Sequence, residues 1–169
     1  MRVLVTGPRT LKDDAEPAIE AALLEVTAGS PGRHTLVHGG ADGGDKITAR
    51  VAYRLGWVVE RHRPDWTAPC RQECDHGPRR RNPYGPGTIC QAAGDYRSDH
   101  MVALGAEVCV ALLLRCTKPR CPNGPVPHDT HGTAHCAAKA AEAGIPVHPV
   151  RFGPAVVEQG DLFAAGEVS

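Results

Sequence analysis

Two short segments constrain this chain more than any others: Thr6-Gly7-Pro8-Arg9 and His38-Gly39-Gly40-Ala41-Asp42-Gly43-Gly44-Asp45. Each closes a short apolar run, Val3-Leu4-Val5 in one case and Thr35-Leu36-Val37 in the other, and each opens a helical pattern. A strand, a glycine turn and a helix, used twice, imply parallel strands whose loops gather along one edge of a sheet. That edge is where open α/β sheets bind ligands. The first turn of the following helix offers free backbone N–H groups and the positive end of its dipole, which suits a phosphate.

The rest of the chain extends the same alternation. Arg2 to Thr6 reads as a strand buried on both faces. A helix capped by Asp13 or Asp14 runs to about Thr27, with Ile19, Leu23, Leu24 and Val26 on its apolar stripe. A second strand spans His34 to Val37. A second helix runs from about Asp45 to Leu55, with Ile47, Val51 and Leu55 one turn apart, and stops at Gly56. Trp57 to Glu60 is a third strand. A helical pattern resumes at Asp95 and ends at Gly105, and Glu107 to Leu114 is the most apolar strand of the chain. A last helix from His131 to Ala143, closed by Gly144, leads to a strand over Ile145 to Val150. Five strands alternating with four helical segments predict a doubly wound parallel sheet of the Rossmann-like α/β class. With right-handed crossovers, the first and fourth strands meet at the switch point.

Two stretches break the pattern. Residues 63–93 hold five Pro before Cys90, three consecutive Arg and almost no apolar periodicity, and residues 115–130 hold Cys116, Cys121 and four Pro. An irregular loop of this length inside a domain needs something to fix it. The first insert supplies Cys70, Cys74, His76 and Cys90, and three thiolates with one imidazole satisfy a closed, structural zinc site. The ordering entropy of so polar a loop would then be met by metal binding. The second insert supplies Cys116 and Cys121, with His128, His131, His135 and Cys136 downstream. These residues either form a second metal site or contribute to the first, and ordinary loop cysteines are the plain alternative. Cys109, inside the fourth strand, reads as a core residue.

Composition bounds the function. A chain of 169 residues fits one domain with a real core, here residues 1–150 with the two inserts, followed by a tail over 151–169. The tail carries Phe152, Val156, Val157, Leu162 and Phe163, apolar residues available for docking or assembly. With 19 basic and 19 acidic residues there is no global polycation to hold duplex nonspecifically. No apolar run is long enough to span a bilayer, and the N-terminus reads directly as strand, so neither a signal peptide nor a membrane anchor is expected. A cytoplasmic location follows as the expectation. There, seven cysteines, an odd number, point to metal rather than disulfides.

The turns carry no G-x-G-x-x-G spacing after the first strand and no Walker A loop. They are expected to cradle an anion with Arg9, Arg97 and Thr133. Arg79-Arg80-Arg81, with Arg61, Arg63 and Arg71, make the first insert locally basic, so contact with single-stranded nucleic acid is a further reading. Only Trp66 and Tyr84 are at hand there for stacking bases. No nucleophile-base-acid set is legible. Asp45, Asp95, Asp99, Asp129, His131 and His135 could fall around the cleft as acids or bases, with helix capping by each Asp and a surface or metal role for each His as the plainer readings.

Taken together, the segments Met1 to Arg9, Leu36 to Asp45, Gly56-Trp57, Ala92-Ala93-Gly94-Asp95-Tyr96-Arg97 with Met101, His131-Gly132-Thr133 and Ala143 to Pro146 resemble the SLOG superfamily. The resemblance is to the YspA/YpsA-related branch of actinobacteria and their phages, and it covers roughly residues 1–150. It implies a Rossmann-like fold that binds nucleotides or nucleotide-derived signals, or single-stranded DNA as in the DprA relatives. It also implies homodimeric or higher assembly. Some members of the branch carry a comparable Cys-rich loop, which supports Cys70, Cys74, His76 and Cys90 as ligands. The cytokinin-activating members are phosphoribohydrolases, marked by Arg four residues before Met and by Gly-Thr with Glu three residues on. Arg97 with Met101 and Gly132-Thr133 match, but Cys136 stands where the Glu would be, and a thiol lacks a carboxylate's acceptor oxygens. The expected ligand cleft is therefore Thr6, Gly7, Arg9, Gly39, Gly40, Asp45, Arg97, Gly132 and Thr133. Asp45 is expected near a ribose hydroxyl, and a nucleotide N-glycosidase is the enzymatic alternative.

Overall fold

The computed structural model describes residues 1–119, 121, 124 and 126–153. The central sheet is β1 (Arg2–Thr6), β2 (Thr35–His38), β3 (Val58–Arg61), β6 (Val108–Leu114) and β7 (Val147–Phe152). All its pairings are parallel and its order is β3-β2-β1-β6-β7. Between β3 and β6 lie β4 (Arg80–Arg81) and β5 (Thr88–Ile89), a two-stranded antiparallel ribbon within the first insert. The helices are α1 (Glu16–Thr27), entered through a 3-10 turn at Asp13–Ala15, α2 (Gly44–Arg54), α3 (Ala93–Ala103) and α4 (His131–Glu142).

The strand pattern explains why both sheet faces are covered. Val3 and Val5 point to one face and Leu4 to the other, as the two-residue period of a strand requires. On the first face Val3, Val5, Leu36, Val110 and Leu112 pack with Ile19 and Leu23 of α1 and Ile47 and Val51 of α2. On the second, Leu4, Val37 and Cys109 pack with Met101 and Val102 of α3 and Cys136 and Ala140 of α4. Apolar burial on two faces favours continuous Val/Leu runs over alternating ones, which is what Val108 to Leu114 displays. Pro149 is tolerated because β7 is an edge strand.

The helix and strand boundaries lie within one or two residues of expectation. One correction concerns the first insert, which carries the β4–β5 ribbon where no regular structure was expected. Its turn closes through the Asn82 N–H donating to Gly87 O (2.9 Å). The tail residues Val156, Val157, Leu162 and Phe163 lie outside the described residues, whereas Phe152 ends β7. Among the described residues no helix is long and apolar enough to cross a membrane.

Chain order reverses between β1 and β6. From β1 the chain winds outward through β2 to β3, then returns through α3 to β6 on the other side of β1. The carboxyl ends of β1 and β6 therefore diverge and leave a crevice.

Candidate functional site

A cavity of about 560 Å³ occupies that crevice, within the size range of small-molecule sites. One wall is the β1 turn (Thr6, Gly7, Pro8, Arg9) with Asp45 of α2. Another is the first turn of α3 with Arg97, Ser98 and Met101, and a third is Thr130, Gly132 and Thr133 at the start of α4. Of the nine expected residues, Thr6, Gly7, Arg9, Asp45, Arg97, Gly132 and Thr133 line it, and Gly39 and Gly40 do not.

The two glycine turns hold each other in place. A β-carbon on Gly7 would lie 3.2 Å from the α-carbon of Gly44 and 3.0 Å from Leu112 Cδ1. The N–H of Gly44 donates to Pro8 O at 3.1 Å. Gly43 sits at φ 66°, with Pro8 O 2.5 Å from where its β-carbon would be. Only glycines allow this approach of backbone to backbone.

Gly39 and Gly40 act from beneath. Gly39 leaves space that the Arg97 guanidinium fills, and Gly40, at φ 69°, underlies the Arg61 side chain. Gly40 borders a separate cavity with His38 and Arg61. His38 is buried and accepts a hydrogen bond at Nδ1 from the Gly40 N–H (3.2 Å). Burial, then the charges of Arg61 and Arg97, lowers its pKa to about 4, so it is neutral at physiological pH.

Asp45 is 3% exposed, and burial raises its pKa to about 6 against the opposing pull of the Ala41 N–H, donated to Oδ2 at 3.0 Å, and of Arg97. A carboxyl poised near neutrality inside a cleft is a feature of working sites. Arg97 is itself held below its ordinary pKa by desolvation, and its Nε has no hydrogen-bond partner in the structure. Cys136 is fully buried in the core on the α3–α4 face, where desolvation raises its thiol pKa. The position that would hold a hydrolase's Glu is thus a packed, neutral thiol. Cys109 is likewise a core thiol, pushed to about 12 by burial.

The remaining acid and base groups are divided among different tasks. Asp95 lines the cavity. Asp99 pairs with His135 at 2.9 Å, and Asp129 with Arg151 at 3.0 Å. His131 belongs to a cluster described next.

All seven cysteines are free thiols, and five of them form two clusters capable of holding a metal ion. In the first, Cys70, Cys74, His76 and Cys90 present ligand atoms within 4.8 Å of one another. Cys74 and Cys90 sulfurs are 3.6 Å apart, and His76 Nε2 lies 3.2 Å from Cys90 and 3.5 Å from Cys70. A tetrahedral ion with ordinary bond lengths sets sulfurs ~3.8 Å apart and sulfur from nitrogen ~3.5 Å. His76 Nδ1 meets Gly77 O at 2.6 Å, which leaves Nε2 for an ion. Arg79 braces the loop, donating to Ala68 O (2.6 Å), Thr67 O (3.0 Å) and Thr88 O (2.9 Å) and approaching Cys70 Sγ (3.5 Å). It is therefore engaged inside the insert, whereas Arg80 and Arg81 are exposed on β4.

The second cluster is Cys116, Cys121, His128 and His131. Cys121 lies 4.0 Å from Cys116, 3.2 Å from His128 Nε2 and 3.0 Å from His131 Nε2. His128 Nδ1 meets Val126 O at 2.6 Å. Each insert thus has its own four-ligand set, and of the downstream candidates His135 and Cys136 belong to neither. The spacing alone did not separate His128 and His131 from those two, because the second loop returns antiparallel. Cys116 N–H donates to His128 O (2.8 Å), and Arg115 bridges Asp129.

Both inserts reach the cavity. Trp66 and Gln91 reach it from the first insert and Lys118 from the second. The N–H of Cys90 donates to Trp66 O at 2.9 Å, and Arg9 lies over the Trp66 ring at 5.8 Å. The place of Gln91 and Lys118 had no local sequence signal, because each arrives through a loop whose path depends on contacts with residues elsewhere in the chain.

Comparison with known proteins bears on this geometry. Residues 1–68 match the family model described as the YspA, cpYpsA-related SLOG family. The Gene 61 protein of Mycobacterium phage D29 is 35% identical over 157 residues, 90% of this chain and 96% of that protein. The X-ray structure of DNA processing protein A (DprA) from Streptococcus pneumoniae is similar with a TM-score of 0.54 at 14% identity, over 88% of this chain and 49% of that one. The chain thus spans about half the length of DprA, and the likeness is one of fold.

Proposed function

This chain belongs to the YspA, cpYpsA-related SLOG family, and from that premise we propose that it binds a nucleotide or nucleotide-derived ligand in the switch-point cavity. The observation that carries the reading is the convergence on one cavity of the Gly7 turn, the first turn of α4 and the half-buried Arg97. Backbone N–H groups of the Gly7 turn, and the first turn of α4 at Gly132-Thr133 with its dipole, suit a phosphate, with Arg97 and Arg9 as its counter-charges. Trp66 offers a face for a base, and Asp45 a partner for a ribose hydroxyl.

Calorimetric titration with the nucleoside 5′-monophosphates tests this directly. Binding by at least one of them, with Kd in the micromolar range (~8 kcal/mol) and lost in Arg97→Ala, supports the reading. No heat from any of them, and no nucleotide released on denaturing the purified protein, would remove it.

Zinc is the ion we assign to both clusters, because three thiolates with one imidazole, and two with two, are closed structural sets. Bound there, it orders the inserts as cavity walls and leaves chemistry to other groups. Elemental analysis of two zinc ions per chain supports this, and native mass spectrometry reports at the same time whether the protein is a homo-oligomer.

A second reading rests on Asp45. Its raised pKa and position in the cavity suit an acid or base in a nucleotide N-glycosidase, with Cys136 arguing against the usual hydrolase signature. Release of free base from a nucleoside monophosphate, absent in Asp45→Asn, separates this from binding alone. Contact with single-stranded nucleic acid is the third, drawing on the DprA-like fold and on Arg80 and Arg81.

A further inference from the structure

The first turn of α3 is a partition. Gly94, Asp95 and Ser98 face the switch-point cavity, while Ala93 and Tyr96 face a second cavity of about 430 Å³, and Arg97 lines both. The second cavity opens at the carboxyl end of β3, where Arg61, Arg63 and Arg71 join Arg97.

Its charged side chains are predominantly cationic, with Cys90 of the first cluster also in its lining. Asp65 is the carboxylate of its lining, and that group already accepts from the N–H groups of Thr67 and Ala68, each at 3.0 Å. Arg71 reaches Glu73 only at 4.0 Å and stacks over the Tyr96 ring at 4.1 Å. Among the described residues, Arg61, Arg63 and Arg97 make no ion pair. Four guanidinium groups gathered at one cavity repel one another, and an anion among them reverses that cost.

We infer that this second cavity is a phosphate subsite, and that the ligand carries two phosphate groups, one on each side of Arg97. The inference rests on the nucleotide reading of the first cavity and extends it: the ligand class is a phosphodiester-linked dinucleotide unit. The second cavity is large enough for another nucleotide, and the Arg71–Tyr96 stack supplies a surface for its base. That unit comes either from a free dinucleotide or from a single strand.

The test compares AMP, the linear dinucleotide pApA and an oligoadenylate on the full-length, metal-loaded protein at fixed ionic strength. The expected result is that pApA binds at least about tenfold tighter than AMP, and that the double variant Arg61→Ala/Arg63→Ala abolishes the gain while AMP affinity is unchanged. The charge-reversed pair Arg61→Glu/Arg63→Glu should push pApA below AMP. Affinity that stops rising at two nucleotides identifies a free dinucleotide, and affinity that rises further identifies a strand. Binding of AMP with no gain for pApA overturns this inference alone. A gain that survives both double variants does the same. Failure of AMP and pApA alike overturns the nucleotide reading with it.

Discussion

Arg97 lies across the backbone of Gly39, its guanidinium filling the space that any β-carbon at position 39 would take. The residues come from opposite ends of the winding, the β2 turn and the third helix. Their contact aims the guanidinium at both cavities.

Gly39→Ala should therefore act as a binding mutation more than a folding one. Gly39 is not at positive φ, so Ala suits the backbone, and the flexible Arg97 side chain must give way. Nucleotide affinity is expected to fall at least about tenfold, with the thermal midpoint within a few degrees of wild type. Calorimetry beside a thermal melt separates the two effects.

Gly7→Ala should do the opposite, because its new β-carbon would meet the Gly44 backbone and Leu112. Forcing two packed turns apart costs about 1–3 kcal/mol. Urea denaturation should show that loss whether or not ligand is present.

Asp45 predicts a pH signature. Its folded pKa of about 6 stands above its unfolded value, so between about pH 4 and pH 6 the native state binds the proton and the unfolded chain does not. Stability then falls as pH rises through that window and is level above it. Relative to Asp45→Asn, which keeps the acceptor for the Ala41 N–H, the wild type should lose up to roughly 3 kcal/mol across the window. Paired denaturation curves from pH 4 to pH 8 measure the difference, and a flat one would contradict the buried carboxyl.

The clusters should empty independently. Cys74→Ser is expected to reduce bound metal from two ions to one, and Cys121→Ser to do likewise, as counted by elemental analysis. A strong chelator should remove both, shift the Trp66 emission and weaken nucleotide binding, while far-ultraviolet dichroism keeps the sheet and helices. Loss of all metal from either single variant would mean that the inserts share one site.

Within the basic run, position decides. Arg79→Ala should speed metal release from the first cluster in a chromogenic chelator assay, because four acceptors around the insert lose their donor. Arg80→Ala and Arg81→Ala, exposed on the ribbon, should leave both release and stability within about 0.5 kcal/mol of wild type.

Legible from the chain alone were the sheet, the order of its elements and the edge at which its turns gather. Apolar runs such as Val3-Leu4-Val5 and glycine turns such as Thr6-Gly7 are local signals, set by burial on two faces and by permitted backbone angles. The grouping of Cys70, Cys74, His76 and Cys90 was legible too, since all four fall within one loop. The folded chain selects which of His128, His131, His135 and Cys136 face Cys116 and Cys121, sets Gly39 and Gly40 beneath arginines and outside the cavity, and buries Cys136 in the core. It also built the second cationic cavity. Each of these depends on contacts between segments far apart in the chain, and spacing along a sequence says nothing of which turn of a helix meets which loop across a fold.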